Sequence, residues 1–364
     1  MKERPEFYSD ESKVPAGAVK LNVVERAHTE LFFVEHPNLR KDAPEVEAQL
    51  SDYLKNHTLS ALWVYFPWRN TAIHIPNEET YFKLRTARNR NLITESEQLT
   101  VRAKTVGIAG LSVGSSVVTS LVATAGPKTI KLADPDTIDI TNLNRINATL
   151  LDVGENKTTT TAKRAWELDP FLDLQLHEDG VTNESLPSFV SNPKLGVFID
   201  EMDAIALKIE SRDVCKRFGV PVVMATDNGD SVIVDVERFD LEPDRPIFHG
   251  RVDITAEELS GMNRDMFVKL ANRIIDPAYF TERQQKSIME IGKTLSGVPQ
   301  LSTAATIAGS AVSFVVRRIL LGEDMPSGRY VISCEESFIQ NYNGIEERAK
   351  RDKGTEAFKA HFGE

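Results

Sequence analysis

The segment Gly110-Leu111-Ser112-Val113-Gly114 sits between an apolar strand pattern, TVGIAG, and the start of a helical pattern. A strand that runs through glycines into a helix aims free backbone N–H groups, and the positive end of the helix, at an anion such as phosphate. Close packing of a helix on a strand asks for the same glycines, so this turn alone leaves both readings open. Its spacing also departs from G-x-G-x-x-G, because Ser112 stands where a middle glycine is expected. About 20 positions on, Asp134 closes the next strand pattern, TIKLAD, where ribose hydroxyls lie in a βαβ nucleotide site. Asp136, Asn142 and Arg145 follow in the loop DPDTIDITNLNR, and Lys157 comes in GENKT. Two cations and an amide would surround a triphosphate, whereas a plain nicotinamide dinucleotide does not need them.

Such residues work only if strands and helices hold them. From Lys104 the chain alternates: strand TVGIAG, helix Ser115 to Ala125 with a Gly126-Pro127 stop, strand TIKLAD, and a helix over Lys157 to Leu168. Strands LDLQLH and GVFID, a helix from Ala204 to Phe218 and strand VPVVMAT continue it. That order predicts an α/β fold with a doubly wound, Rossmann-like, mostly parallel sheet. SVIVDVERF reads as a further strand, with helices expected over Ala256 to Arg273 and Leu301 to Leu320. Upstream, ALWVYFPWRNTAIHI reads as two strands with a turn at Pro67 to Asn70, followed by a helix from Asn77 to Ala87. Before it only a short helix at Glu45 to Asn56 is legible. The expected organisation is an N-terminal extension or subdomain over 1–85 and a nucleotide-binding domain over 86–364. The core of that domain is 104–240, and an α+β segment occupies 241–364.

Composition limits the function classes. The 364 residues carry 43 Lys and Arg against 54 Asp and Glu, a net charge of −11. That balance disfavours a generally cationic face for nucleic acid or anionic lipid. The apolar stretches Val106 to Pro127 and Thr294 to Val316 approach the length of a membrane span, but their glycines and hydroxyls suit buried packing better, so no membrane association is expected. No apolar h-region follows the charged start, and cytoplasmic placement is expected. Cys215 and Cys334 are too few for a disulfide framework and too far apart for a zinc knuckle.

The order of motifs resembles the ThiF/MoeB-type activating enzymes, the superfamily that includes the ubiquitin-activating E1 enzymes. The matching features are the turn Gly110 to Gly114, Asp134 and Asp136, the Thr141 to Arg145 loop, Gly154 to Lys157, and Asp203 in VFIDEMDA. RTARNRNLI is similar to the family's N-terminal arginine arm, which reaches the partner subunit's nucleotide; Arg90 matches best and Arg88 second. The resemblance implies an ATP-dependent adenylyltransferase, a homodimer using ATP and Mg²⁺, that activates a carboxylate as an acyl adenylate with release of pyrophosphate. The carboxylate would belong to a peptide, a ubiquitin-like carrier C-terminus or a small molecule. Arg90, Arg145, Lys157 and Asp203 would be catalytic, with Asp203 on Mg²⁺. Gly110, Ser112, Gly114, Asp134, Asp136 and Asn142 would bind the nucleotide. A subgroup joined to a nitroreductase-like domain is also similar, which implies a separate flavin enzyme as a partner.

The departures carry expectations too. Ser112 and Val113 would narrow the phosphate cradle, Asp203 is followed by Ala204 and Lys208 where Asn and Arg are usual, and the family's CxxC zinc pairs are missing, so no zinc is expected. These leave room for a slow or non-catalytic scaffold, and the first βαβ unit also suits a dinucleotide-binding oxidoreductase. Some relatives activate a carboxylate on modified tRNA, which the acidic balance argues against. Cys215, among Val214, Phe218 and Val220, reads as a buried small hydrophobe, and Cys334 lies beside Glu335 and Glu336, so the acceptor of the adenylate is expected to be external. His249 reads as a loop hydrogen bonder or a substrate contact, and Trp63, Tyr65, Phe66 and Trp68 as a small core.

Overall fold

The computed structural model describes residues 4–254 and 264–362. An N-terminal sheet comes first: β1 (Glu6–Tyr8), β2 (Val19–Asn22), then helices α1 (Val24–Glu35) and α2 (Pro44–Asn56), then β3 (Ala61–Phe66) and β4 (Thr71–Pro76). The strand order is β1-β3-β4-β2, with β2 parallel to β4 and the other pairs antiparallel. The β3–β4 hairpin turns where expected, with Pro67 at its start and Asn70 in the left-handed region at φ 45°. Alternation along β3 splits the aromatic cluster between two cores. Val64 and Phe66 join the main core, while Trp63 packs with Val14 and Ala72. Trp68 Nε1 and Arg69 Nε both donate to Glu167 Oε1, at 2.6 and 2.8 Å, and tie this hairpin to the larger unit.

Helices α3 (Glu78–Thr86) and α4 (Glu95–Arg102) lead into the main sheet. Its elements run β5 (Thr105–Ala109), α5 (Val113–Ala123), β6 (Thr129–Ala133), α6 (Lys157–Leu168), β7 (Asp173–His177), α7 (Leu186–Ser191), β8 (Val197–Asp200), α8 (Ile205–Phe218), β9 (Val222–Asn228) and β10 (Ser231–Glu237). Then come α9 (Arg264–Ile275), α10 (Glu282–Met289), α11 (Ser302–Leu321), β11 (Gly328–Ile332), α12 (Cys334–Phe338) and α13 (Ile345–Phe362). The seven strands lie in the order β11-β10-β9-β8-β5-β6-β7. β9, β8, β5, β6 and β7 are mutually parallel, and β10 and β11 add antiparallel edges. Strand order reverses between β5 and β8. In such sheets the crevice beyond the carboxyl ends of the strands at that reversal is where ligands bind.

Helix α11 is long and apolar enough to cross a membrane, yet it packs inside this fold. Gly309 lies so close to α5 that a Cβ there would stand 2.6 Å from the Ser116 carbonyl oxygen.

Several features depart from the sequence expectations, and one expectation lies partly outside the described residues. β1, β2 and α1 lie in a region whose polarity concealed them, and every position of β2 is exposed. α5 starts at Val113, so Gly114 falls inside its first turn rather than before it. The helix expected from Ala256 is observed from Arg264 to Ile275; its earlier residues, including the Glu257-Glu258 face, lie outside the described residues.

Candidate active site

Gly110 follows β5 with φ 89°, and a Cβ there would stand 2.2 Å from the carbonyl oxygen of Glu201. Only glycine allows the ends of β5 and β8 to come this close. Gly114 serves packing instead, its missing Cβ leaving room for the Ile108 methyl at 3.0 Å. Ser112 occupies the N-cap position of α5, and its Oγ accepts from Arg145 Nε at 3.0 Å.

Asp134, at the end of β6, is buried, and its two oxygens accept the amides of Leu111 (2.6 Å) and Asp136 (2.9 Å). Burial pushes its carboxyl above the ordinary range, while those amides and Lys157 pull the other way. A carboxylate has about four acceptor positions, so two remain for a hydroxyl. Lys157 opens α6, whose Asn156 cap accepts the Thr158 amide at 2.8 Å. Its Nζ donates to Asp136 Oδ2 at 2.8 Å and stands 3.8 Å from Asp134 Oδ1. Asn142 is spent locally: its Oδ1 accepts the Asp139 amide at 3.0 Å in a capping box. Arg145 reaches back to the glycine turn, and its Nη1 donates to Thr141 O and Asn144 Oδ1.

At the other wall, β8 ends at Asp200 and not at Asp203. Asp200 is fully buried and bonded to Lys208 Nζ (3.1 Å) and Arg212 Nη1 (2.5 Å), while Arg212 Nε donates to Glu237 at 2.6 Å. Burial would raise the Asp200 carboxyl, but Lys208 and Arg212 outweigh it and hold it low. This lock fixes the turn that carries Glu201 and the exposed Asp203, and spends Lys208 on Asp200 rather than on Asp203. Glu201 is half-buried, accepts the Ala225 amide at 3.0 Å, and burial drives its carboxyl well above the ordinary range.

Two adjoining cavities result. The first, 220 Å³, is lined by Gly110, Ser112, Asp134, Asp136, Lys157 and Asp203 among others. The second, 480 Å³, shares Ser112, Glu201, Met202 and Asp203 as a common wall and adds Arg145, Lys208 and Asp227. The structure therefore gathers most of the residues singled out from the sequence. Gly114, Asn142 and Arg90 line neither cavity. Arg90 is exposed in the turn between α3 and α4 and has no hydrogen bond or ion pair among the described residues. Glu201 and Asp227 went unnoticed in the sequence, where they read as ordinary acids at strand ends; burial is what sets them apart.

As for a metal, no group of three or more His, Cys, Asp or Glu side chains among the described residues is arranged to hold one. Mg²⁺ in nucleotide sites is held by one or two carboxylates together with phosphate oxygens and water, and the exposed Asp203 carboxylate at the common wall fits that demand. The other tempting residues have structural work. His249 bridges Arg245 and Asp235, its Nε2 lying 2.9 Å from Asp235 Oδ1, which supplies the expected loop hydrogen bond. Cys215 is buried, and burial pushes its thiol far above the ordinary range. Cys334 is half-buried, its amide bonded to Ser231 Oγ at 3.2 Å.

The family profile for the "ThiF family" matches residues 86–353. The chain belongs to the ThiF family. An uncharacterized protein of Mycobacterium tuberculosis, MT1398, is 40% identical over 299 residues, covering 82% of this chain and 40% of that protein. The tRNA threonylcarbamoyladenosine dehydratase of Bacillus subtilis is 27% identical over 164 residues, 43% of this chain and 64% of that one. The sulfur carrier protein ThiS adenylyltransferase of Escherichia coli is 28% identical over 122 residues, 33% of this chain and 47% of that one. The ThiF-family chain described here thus spans less than two thirds of the length of each of these relatives.

Proposed function

We propose that this ThiF-family chain is an ATP-dependent adenylyltransferase that activates a carboxylate as its acyl adenylate. The observation that carries the reading is the pair of cavities with a common wall at Ser112, Glu201, Met202 and Asp203. One holds the nucleotide-type residues Asp134 and Lys157, and the other opens beside Arg145. An α-phosphorus at that wall is within reach of an acyl group on the far side. A carboxylate oxygen of the substrate attacks it, the bond to the β-phosphate oxygen breaks, and acyl adenylate and pyrophosphate result. No proton moves, because the nucleophile is already ionised and pyrophosphate leaves as an anion.

The task of the protein is therefore to hold two anions together, and its cations serve that task. Lys157 offers its ammonium beside Asp134 and Asp136, and Arg145 offers its guanidinium at the mouth of the glycine turn. Asp134 keeps acceptor capacity for ribose. Mg²⁺ at Asp203 would supply further neutralisation of the phosphates. An exposed, unpaired Arg90 suits a side chain that completes a second subunit's site in a homodimer. With Cys215 sealed in the core, the adenylate goes to an external sulfur donor, thiol or amine. Cytoplasmic placement and a separate flavin enzyme as partner belong to the same proposal.

The test is ATP–pyrophosphate exchange with a panel of carboxylates. Arg145→Ala should lower the exchange rate by about 100- to 1,000-fold, the effect of removing one preorganised donor. Lys157→Ala should do the same, and it should also destabilise the fold, because Lys157 is the nearest cation to buried Asp134. Normal exchange in either variant would overturn the assignment.

A further inference from the structure

The second cavity is lined by charges of both signs. At its glycine-turn end stands Arg145, held by Ser112, Thr141 and Asn144. Asp227 and Glu201 line the same cavity, together with apolar side chains including Met224, Ile274 and Val298.

Asp227 lies at the carboxyl end of β9 and is only 8% exposed. Its Oδ2 accepts from Gln300 Nε2 at 3.2 Å, and Gln300 is held in turn through its carbonyl by Asn144 Nδ2 at 2.8 Å. Its Oδ1 is buried and has no hydrogen-bond partner among the described residues. A buried carboxylate oxygen without a donor is costly, and the nearby cations are engaged elsewhere. Arg212 is shared between Asp200 and Glu237, and Lys208 serves Asp200. Arg145 acts on Asp227 only through space. Glu201, half-buried and close enough to act on it through space, adds a second acid and no donor of opposite charge.

We propose that the second cavity takes the acyl substrate as a carboxylate that also carries a protonated amine, with Asp227 Oδ1 receiving the ammonium and Arg145 marking the carboxylate end. This rests on the adenylation reading and narrows its substrate to amino-acid-like acids or peptide termini with a nearby amine. Charge complementarity selects this class. A zwitterion presents its cation to Asp227 and its anion toward Arg145, whereas a purely anionic or apolar acid leaves Asp227 without a donor.

The probes are sulfamoyl adenosines that mimic an acyl adenylate: alanyl and 4-aminobutyryl forms against propionyl and butyryl forms, measured by calorimetry alongside ATP. At least one amino member should bind wild type about tenfold or more tighter than its des-amino partner, as a charge-assisted hydrogen bond warrants. Asp227→Asn, checked for folding by circular dichroism, should reduce that ratio to about twofold or less. Equal or tighter binding of the des-amino forms overturns this inference and leaves the adenylation reading standing. So does binding of ATP with none of the four analogues. A ratio that survives in Asp227→Asn overturns the role of Asp227. Failure of ATP and of all four analogues overturns the adenylation reading and this inference together.

Discussion

Asp227 and Lys157 show two ways a single charged residue enters such a site. Lys157 arrives with partners, Asp136 at 2.8 Å and Asp134 at 3.8 Å, and a sequence reader can find it because it opens a helix after a strand-loop pattern. Asp134 is legible for the same reason, since its place at a strand end is local information. Asp227 and Glu201 are not, because what distinguishes them is enclosure by distant segments, a tertiary property. Asn142 teaches the converse: a polar residue in the right loop is used to cap its own turn. Enclosure makes Asp227 testable by pH. Burial raises its carboxyl from 3.8 to about 6. The folded state therefore binds this proton more tightly than the unfolded state, and the stability it contributes at low pH is lost as pH rises through about 6. In urea unfolding, Asp227→Asn should gain on wild type by about 1 kcal/mol between pH of about 5 and about 8. A constant difference between the variants across that range would show that Asp227 titrates normally.

At the scale of elements, the β5–α5–β6 unit was legible because its apolar runs are bounded by glycines and turn signals that act locally. α7, a helix of six residues, and the exposed β2 offered no period to read. The strand GVFID ends at Asp200 as its pattern indicates, but VFIDEMDA does not show that the Asp200 carboxylate is spent on Arg212 and Lys208 while Asp203 stays exposed on the turn that follows. What holds the first cavity in shape is the approach of β5 to β8 at Gly110. A methyl group there meets the Glu201 carbonyl oxygen at 2.2 Å while imposing a φ of 89° on alanine. Gly110→Ala should therefore cost about 2 to 5 kcal/mol of unfolding free energy, combining backbone strain with overpacking, and should weaken ATP binding as well. Wild-type stability in that variant would mean the two strand ends can separate without loss.

For the whole molecule, the net charge of −11 is matched at the two cavities, where Asp134, Asp136, Glu201, Asp203 and Asp227 stand among Lys157, Arg145 and Lys208. Arg90 stands outside both cavities of its own chain, so a role in adenylation requires a second copy. Mixing Arg90→Ala with Arg145→Ala should build heterodimers in which one site carries both lesions and the other neither, restoring about half of wild-type exchange per heterodimer. Mixtures that exchange subunits, by mass-tagged mixing, and remain inactive would assign Arg90 no role in trans. On the proposed reading, the crevice between β5 and β8 takes a nucleoside triphosphate and not a dinucleotide. Calorimetric titration of the full chain with ATP·Mg²⁺ and, separately, with NADH tests it most directly. Saturable ATP binding is expected, weakened about tenfold or more by Arg145→Ala through the loss of one charge-assisted contact, with no binding of NADH. Saturable binding of NADH with none of ATP would contradict it.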